Sequence, residues 1–525
     1  MIWNRIKDSR LFLLSSILFS LALCYPQKLG FLVFIFLTPV LFYLDRNKKS
    51  SNIRLFGNMF VFSFVCMLVS TLWFLSVFPL DWLKITDPLL SIFIIVPFWL
   101  SFLMAMSLII AFWPPLVKKI QTGQIFVDAF LGASLWVLIE YLRSWVLAVG
   151  VYGDQTLFGP HYTYYSVAYP VSNIPIVHNL FPFGGMYLVS FFIIFSNYFF
   201  YYCFAGFKSN KDLKGIFLSV LFLASLLFFS THTLQYIRKK ESISSPFVMT
   251  VVNMHELVSH SSLGAKERIR KALSLVSSMN NPDGIIIFPE NVNIVTPFLE
   301  GEIPKDTFTF NLAIGSFTGN QFYNMYFFTQ GDRKVEYYRK QLLMPIGEYN
   351  VSWIDFLIQK SSLGHWTNIY NAVKHTHKKG SSQSVFSYQK IDGLIFGGSL
   401  CSENISPYIY RNATILGSTV LLNIASHAPF HGSNLLARQT LAINTARALE
   451  NGRYFITSSN YSPSFVITDE GDLIYVSKDS KKESFDNVLV VTKKYITPYV
   501  KYGDYVVFLA FIILSLRIIW IKKNS

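Results

Sequence analysis

Cysteine is scarce in this sequence, with four among 525 residues. Cys24, Cys66 and Cys203 fall in long apolar runs, which leaves Cys401 alone in the polar part of the chain. A disulfide framework is thereby excluded there, and Cys401 is either an inert buried thiol or a nucleophile. Charge is equally thin. Only 14% of residues are charged against 52% hydrophobic and 17% aromatic, and the mean hydropathy is +0.39. That balance excludes a purely soluble protein and indicates an integral membrane protein with room for a soluble domain. Acidic residues are the rarer sign, so the net charge is +15. The basic residues up to position 236 nevertheless lie in small clusters between apolar runs, as orientation signals do, and no nucleic-acid partner is expected. Neither a P-loop nor a G-x-G-x-x-G after a strand occurs, which argues against a nucleotide. No small-residue peptidase pattern follows the first apolar run, which reads as a retained span.

Apolar runs lie near 11–24, 30–44, 55–79, 89–113, 125–149, 183–206, 215–236 and 503–521. Most reach the roughly 20 residues that a spanning helix needs. Counting the first two as separate spans puts Arg5, Arg46, Lys118, Lys208 and Lys522, with their basic neighbours, on one side; the loop 150–182 has no Lys or Arg. The positive-inside rule then predicts eight spans with both termini cytoplasmic. Residues 1–236 form a membrane domain of seven spans, 237–500 an extracytoplasmic domain, and 501–525 the eighth span with a cytoplasmic tail. Tyr162, Tyr164, Tyr165 and Tyr169 in the loop 150–182 suit an interfacial aromatic belt or a substrate-guiding surface. Glu140 and Arg143, three apart on one helical face, are expected to face the bundle interior, as a pair or toward a lipid headgroup.

From about 240 to 500 the texture changes to short apolar runs between turns. Strands are predicted at Phe247–Val252, Gly284–Phe288, Asn311–Ser316, Tyr323–Thr329, Gly393–Phe396, Val420–Ala425, Tyr454–Ser458 and Ser464–Thr468, with helices at 265–279 and 434–451. The mixture describes one α/β domain. Gly397 and Gly398 read as a tight turn after the strand that leads to Cys401. Glu290, Lys340 and Cys401 each stand at a predicted strand end. A carboxylate with a raised pKa can deprotonate a thiol, and a lysine can stabilise the oxyanion formed when the thiolate attacks a carbonyl. Taken singly, Glu290 and Lys340 also fit as surface charges.

The order F-P-E, then R-K-x-x-L-x-P-x-G-E-Y, then a cysteine after a Gly-rich strand end resembles the nitrilase (carbon-nitrogen hydrolase) superfamily. The spans around it resemble those of the apolipoprotein N-acyltransferase family, through W-V-L-I-E-Y-L-R at 136–143, N-L-F-P-F-G-G-M-Y-L-V-S-F at 179–191, A-R-A-L-E-N-G-R-Y at 446–454 and Y-x-x-Y-G-D at 499–504. The resemblance implies an αββα sandwich beside the helical membrane bundle, with Glu290 as general base, Lys340 as oxyanion stabiliser and Cys401 as nucleophile. Glu348 and Glu403 match supporting glutamates. It further implies a phospholipid acyl donor, a Cys thioester, a diacylglyceryl-cysteine lipoprotein as acceptor, no cofactor, and a place in the bacterial cytoplasmic (inner) membrane with the catalytic domain on the periplasmic side.

The sequence departs from the family at Ser402, where an aromatic residue is usual, in the segment Val251 to Asn281, which lacks a tryptophan, and at Ser426–Gly432, which reads S-H-A-P-F-H-G. These positions bear on substrate choice and lid behaviour, with Ser402 and Phe430 as candidate contacts. The segment 350–370 offers Trp353 and Phe356 as lid residues, or else an amphipathic helix packed on the core. His427 and His431 are four apart, but Pro429 lies between them and no third ligand is near, so no metal is expected. Two other readings stand beside acyl transfer: a membrane-bound amidase with water as acceptor, and a non-catalytic envelope protein on the same scaffold.

Overall fold

The computed structural model describes residues 2–524 except 206–209, 241–245, 256–261, 280–283, 291, 293–294, 303–307, 319–320, 331–333, 361–363, 373–376, 382–384, 389–390 and 479–481. Among the described residues, seven helices are long and apolar enough to cross a membrane: 26–46, 52–70, 88–120, 125–150, 180–205, 213–239 and 505–524. The expected count was eight. The first run lies in helix Ile2–Cys24, 23 residues long, of which Arg10–Cys24 is the apolar stretch. The expected run 55–79 also breaks early. Its helix ends at Ser70, and Leu72–Val77 continue as a 3-10 turn that carries Trp73 and Phe74 toward the soluble domain.

Glu140 and Arg143 are buried, as expected of intramembrane charges. They do not pair with each other. Glu140 accepts from the Val167 N–H at 3.0 Å and from the hydroxyls of Ser166 and Ser190 at 3.2 and 2.6 Å. Arg143 donates to the Tyr164 carbonyl at 2.8 Å. Both side chains therefore hold the loop 150–182 against the bundle. Tyr162, Tyr165 and Tyr169 of that loop are buried rather than displayed as a belt.

Among the described residues the second part contains twelve strands: β1 Phe247–Asn253, β2 Ile285–Ile287, β3 Phe308–Thr318, β4 Gln321–Gln330, β5 Lys334–Arg339, β6 Val385–Ser387, β7 Ile395–Leu400, β8 Val420–Ser426, β9 Tyr454–Asn460, β10 Phe465–Ile467, β11 Leu473–Val476 and β12 Ser484–Val490. They form two six-stranded sheets, in the orders β12-β1-β2-β3-β4-β5 and β11-β10-β9-β8-β7-β6. In each sheet, parallel central pairs (β1·β2, β2·β3; β7·β8, β8·β9) are flanked by antiparallel ones.

The side-chain period of two explains the layering. Val251, Ile285 and Ile287 of one sheet meet Phe396, Leu422 and Ile424 of the other in a shared core. The alternate residues Val252 and Ile286 pack outward with Ala272 and Val276 of helix Ser262–Ser277. On the far side Leu421 and Phe455 pack against Tyr410 and Ala413 of helix Pro407–Ile415 and Ala448 of helix Asn434–Asn451. The result is a four-layer αββα sandwich.

Helix Asn434–Asn451 also joins the sandwich to the bundle. Arg447 and Glu450, both fully buried, form an ion pair at 2.9 Å. Glu450 accepts the Met186 N–H at 2.9 Å, and Arg447 donates to the Tyr169 hydroxyl at 2.8 Å. Met186 follows a break at Gly184 and Gly185 in helix Leu180–Ala205. Gly185 has φ of 69°, and a Cβ there would lie 2.6 Å from the Tyr499 ring, so the position takes only glycine.

Candidate active site

Glu290, Lys340 and Cys401 stand just beyond β2, β5 and β7. Gly397 and Gly398 are not the turn that the sequence suggested; both lie inside β7. A Cβ on Gly397 would sit 2.7 Å from Ala413 Cβ, and one on Gly398 would sit 2.4 Å from the Tyr326 hydroxyl. Glycine is needed here for close packing of a helix on one face of the strand and the opposite sheet on the other. The chain turns at Cys401 itself, whose φ is +47°. Such backbone is uncommon for a residue with a side chain, and it aims the thiol away from the strand. The thiol points at the Ser426 carbonyl at 3.8 Å, while Asn423 Nδ2 donates to the Cys401 carbonyl at 3.1 Å.

The thiol also reaches the Glu290 carboxyl. Burial pushes that carboxyl up to about 7, with Lys340 opposing the rise. Burial likewise pushes the Cys401 thiol up to about 12; the Glu290 charge adds to the rise and Lys340 opposes it. The resting thiol is therefore protonated, with the Glu290 carboxyl beside it. Burial works against the Lys340 charge, yet Glu348, Cys401, Glu290 and Glu403 together hold it above the usual lysine range.

Glu348 and Glu403 brace this arrangement from opposite sides. Lys340 Nζ lies 2.9 Å from both carboxylate oxygens of Glu348. Glu348 is held in turn by the Met344 N–H at 2.6 Å and by the Asn324 amide. Glu403 is fully buried. One of its oxygens accepts from the Tyr338 hydroxyl and the N–H groups of Gln341 and Leu342 at 2.8, 2.7 and 3.1 Å; the other accepts the Leu400 N–H at 2.7 Å. Burial pushes this carboxyl up, against the pull of Lys340 and these backbone donors.

Two adjoining cavities lie beside the site. One is lined by Cys401, Asn423, His427 and Phe430 among others. The other is almost wholly apolar and runs among Phe74, Phe98, Trp99 and Leu147 of the bundle. Trp73, Tyr164, Met344, Ser402 and Ile405 line both. Ser402 and Phe430 therefore face the site. Trp353 and Phe356 do not line either cavity. Their helix, Ser352–Lys360, buries Ile354 and Ile358 against the bundle, with Trp353 Nε1 donating to the Gly150 carbonyl at 3.2 Å and Phe356 59% exposed. His427 and His431 diverge: His427 lines the smaller cavity, and His431 Nδ1 lies 2.6 Å from the Ser76 carbonyl. Asn324, Tyr338 and Asn423 were not singled out from the sequence. The available signal was a lone polar residue inside an apolar strand, as Asn423 in L-L-N-I-A.

Fold and site together define a protein with seven apolar helices of membrane-spanning length among its described residues beside an αββα domain. Residues 15–199 match the family described as the apolipoprotein N-acyltransferase N-terminal domain. Over both of its parts the chain resembles apolipoprotein N-acyltransferases. It is 23% identical to that of Aquifex aeolicus over 90% of this chain and 97% of the relative. It is also 23% identical to that of Thermosynechococcus vestitus, over 46% of this chain and only 45% of the relative's length. Among solved structures, a carbon-nitrogen hydrolase from Helicobacter pylori aligns at 14% identity with a TM-score of 0.35, covering 50% of this chain and 92% of that one.

Proposed function

We propose that this protein is an acyltransferase of the bacterial cytoplasmic membrane that completes lipoprotein maturation. Cys401 attacks an acyl ester of a membrane phospholipid, Glu290 takes the thiol proton and passes it to the departing lysophospholipid, and Lys340 stabilises the oxyanion. The thioester is then discharged by the N-terminal amine of a diacylglyceryl-cysteine lipoprotein, which yields an amide. Both amphiphiles use one thiol in turn, so the first product leaves before the acceptor enters. By the distribution of basic residues the sandwich lies on the periplasmic side and both termini are cytoplasmic.

The observation that carries this reading is that the pocket at Cys401 shares Tyr164, Ser402 and Ile405 with an apolar cavity leading into the bundle. A long alkyl chain fits such a cavity better than the small amide of a soluble hydrolase does. The test is mass spectrometry of lipoprotein N-termini from cells with the wild-type protein, without it, and with Cys401→Ser. N-acylated termini should require the intact thiol. Free fatty acid or ammonia without N-acylated product would instead identify a hydrolase, and unchanged termini a non-catalytic protein.

A further inference from the structure

A proton count for the amine step leaves one proton without an acceptor. An α-amine has a pKa near 8, so it arrives largely as an ammonium. Of its three protons the amide keeps one. Glu290 can take a second and return it to the departing Cys401 thiolate, but the third needs another base.

The groups around the thiol are mostly committed. Lys340 is protonated and paired with Glu348. Glu403 is engaged by four donors. Burial raises the Tyr164 phenol, which keeps it protonated and unable to serve as a phenolate base. Asn404, Asn423, Gln439 and Thr440 also line the smaller cavity, and none is basic.

His427 is the exception. It directly follows Ser426, whose carbonyl faces the Cys401 thiol at 3.8 Å. Its backbone is fixed: its N–H donates to the Asn460 carbonyl at 2.8 Å, and its carbonyl accepts from Phe430 and Gly432 at 3.0 and 3.3 Å. Its side chain lines the cavity at only 6% exposure, and Nδ1 is sealed from solvent without a hydrogen-bond partner among the described residues. A buried imidazole left unpaired in this way is costly unless something else arrives to use it.

We propose that His427 is a further catalytic residue of the second half-reaction, which accepts an N–H of the incoming ammonium and takes its surplus proton. The inference rests on the acyltransferase reading above. Burial pushes the imidazole down to about 4, so it is neutral and able to accept at pH 7. The same burial disfavours the ammonium, so donor and acceptor are depressed together. The freed nitrogen pair forms the C–N bond at the thioester carbonyl and the C–S bond breaks onto sulfur. The Cys401 thiolate then takes the proton held by Glu290. The proton on His427 leaves to solvent when the product departs.

The test separates the half-reactions on the full-length protein in detergent. Wild type, His427→Gln and His427→Ala are loaded with a phospholipid carrying a labelled acyl chain, then given a synthetic diacylglyceryl-cysteine peptide. Transfer at pH 7 should slow by about tenfold or more beyond any slowing of thioester formation. The deficit should shrink at pH 9, where the peptide amine is already free. Hydroxylamine, mostly unprotonated at pH 7, should discharge the thioester of all three proteins equally. Equal slowing of both half-reactions, or unslowed transfer in the Gln variant, would overturn the assignment. Absence of a thioester in the wild type would instead overturn the acyltransferase reading.

Discussion

The Gln341 N–H donates to Glu403 at 2.7 Å and so ties the residue beside Lys340 to the loop that carries Cys401. The other oxygen of the same carboxylate holds Leu400, the residue before the thiol. Glu403→Gln supplies one acceptor where the carboxylate offers two, and its amide nitrogen meets an N–H head-on. The variant should lose about 2 kcal/mol of stability and slow thioester formation. Thermal unfolding and single-turnover acylation check both; wild-type values for each would show that this brace does not position the site.

On the proposed mechanism, Glu290 sets the acid side of the acylation profile. Only its carboxylate form can receive the thiol proton, so kcat/KM for acylation should rise as pH increases through about 7. Stability should run the other way. A carboxyl raised by folding contributes stability that is fully present below its unfolded value near 4.3 and is lost as pH rises through about 7. Glu290→Gln should therefore abolish the thioester yet raise the unfolding midpoint at pH 8 more than at pH 5. Equal shifts at both pH values would argue against the raised carboxyl.

Water must be kept from the thioester for transfer to outrun hydrolysis. Phe430 lines the Cys401 cavity and packs edge-on to Trp73 at 5.3 Å. Phe430→Ser should leave thioester formation measurable and raise the ratio of free fatty acid to amide by severalfold. The Trp353→Ser/Phe356→Ser double variant should leave that ratio unchanged, because neither side chain lines the cavity. A raised ratio in the double variant would restore 350–370 as the cover of the site.

The orientation inferred from basic clusters places Cys401 outside the cytoplasm. An impermeant thiol reagent added to intact spheroplasts should label it, with Cys401→Ala as the blank. Labelling only after lysis would invert the topology.

Much of the sandwich was legible because its central strands are continuous apolar runs, as in I-I-I-F at 285–288 and V-L-L-N-I-A at 420–425. The edge strands were not. β11 is largely exposed, and β6 has only three residues, so neither carries a buried run. β5, Lys334–Arg339, is hidden by its charges, although it delivers Lys340. Gly397 and Gly398 misled for a different reason: nothing local distinguishes a glycine that turns the chain from one that admits a neighbour. The titratable residues of the site could be named from sequence order. The donors that hold them, such as Tyr338 and Asn324, come from strands distant in sequence.

Arg447 and Glu450 make the bundle and the sandwich a single inheritance. A chimera that set this sandwich on a bundle without the Tyr169 hydroxyl and the Met186 N–H in register would bury both charges short of these partners. A buried ion that loses a partner costs about 3–5 kcal/mol, a large part of a domain's stability. Exchange between lineages should therefore favour the whole chain over either half, and a change at the Gly184–Gly185 break should be tolerated only alongside one in the helix that docks against it.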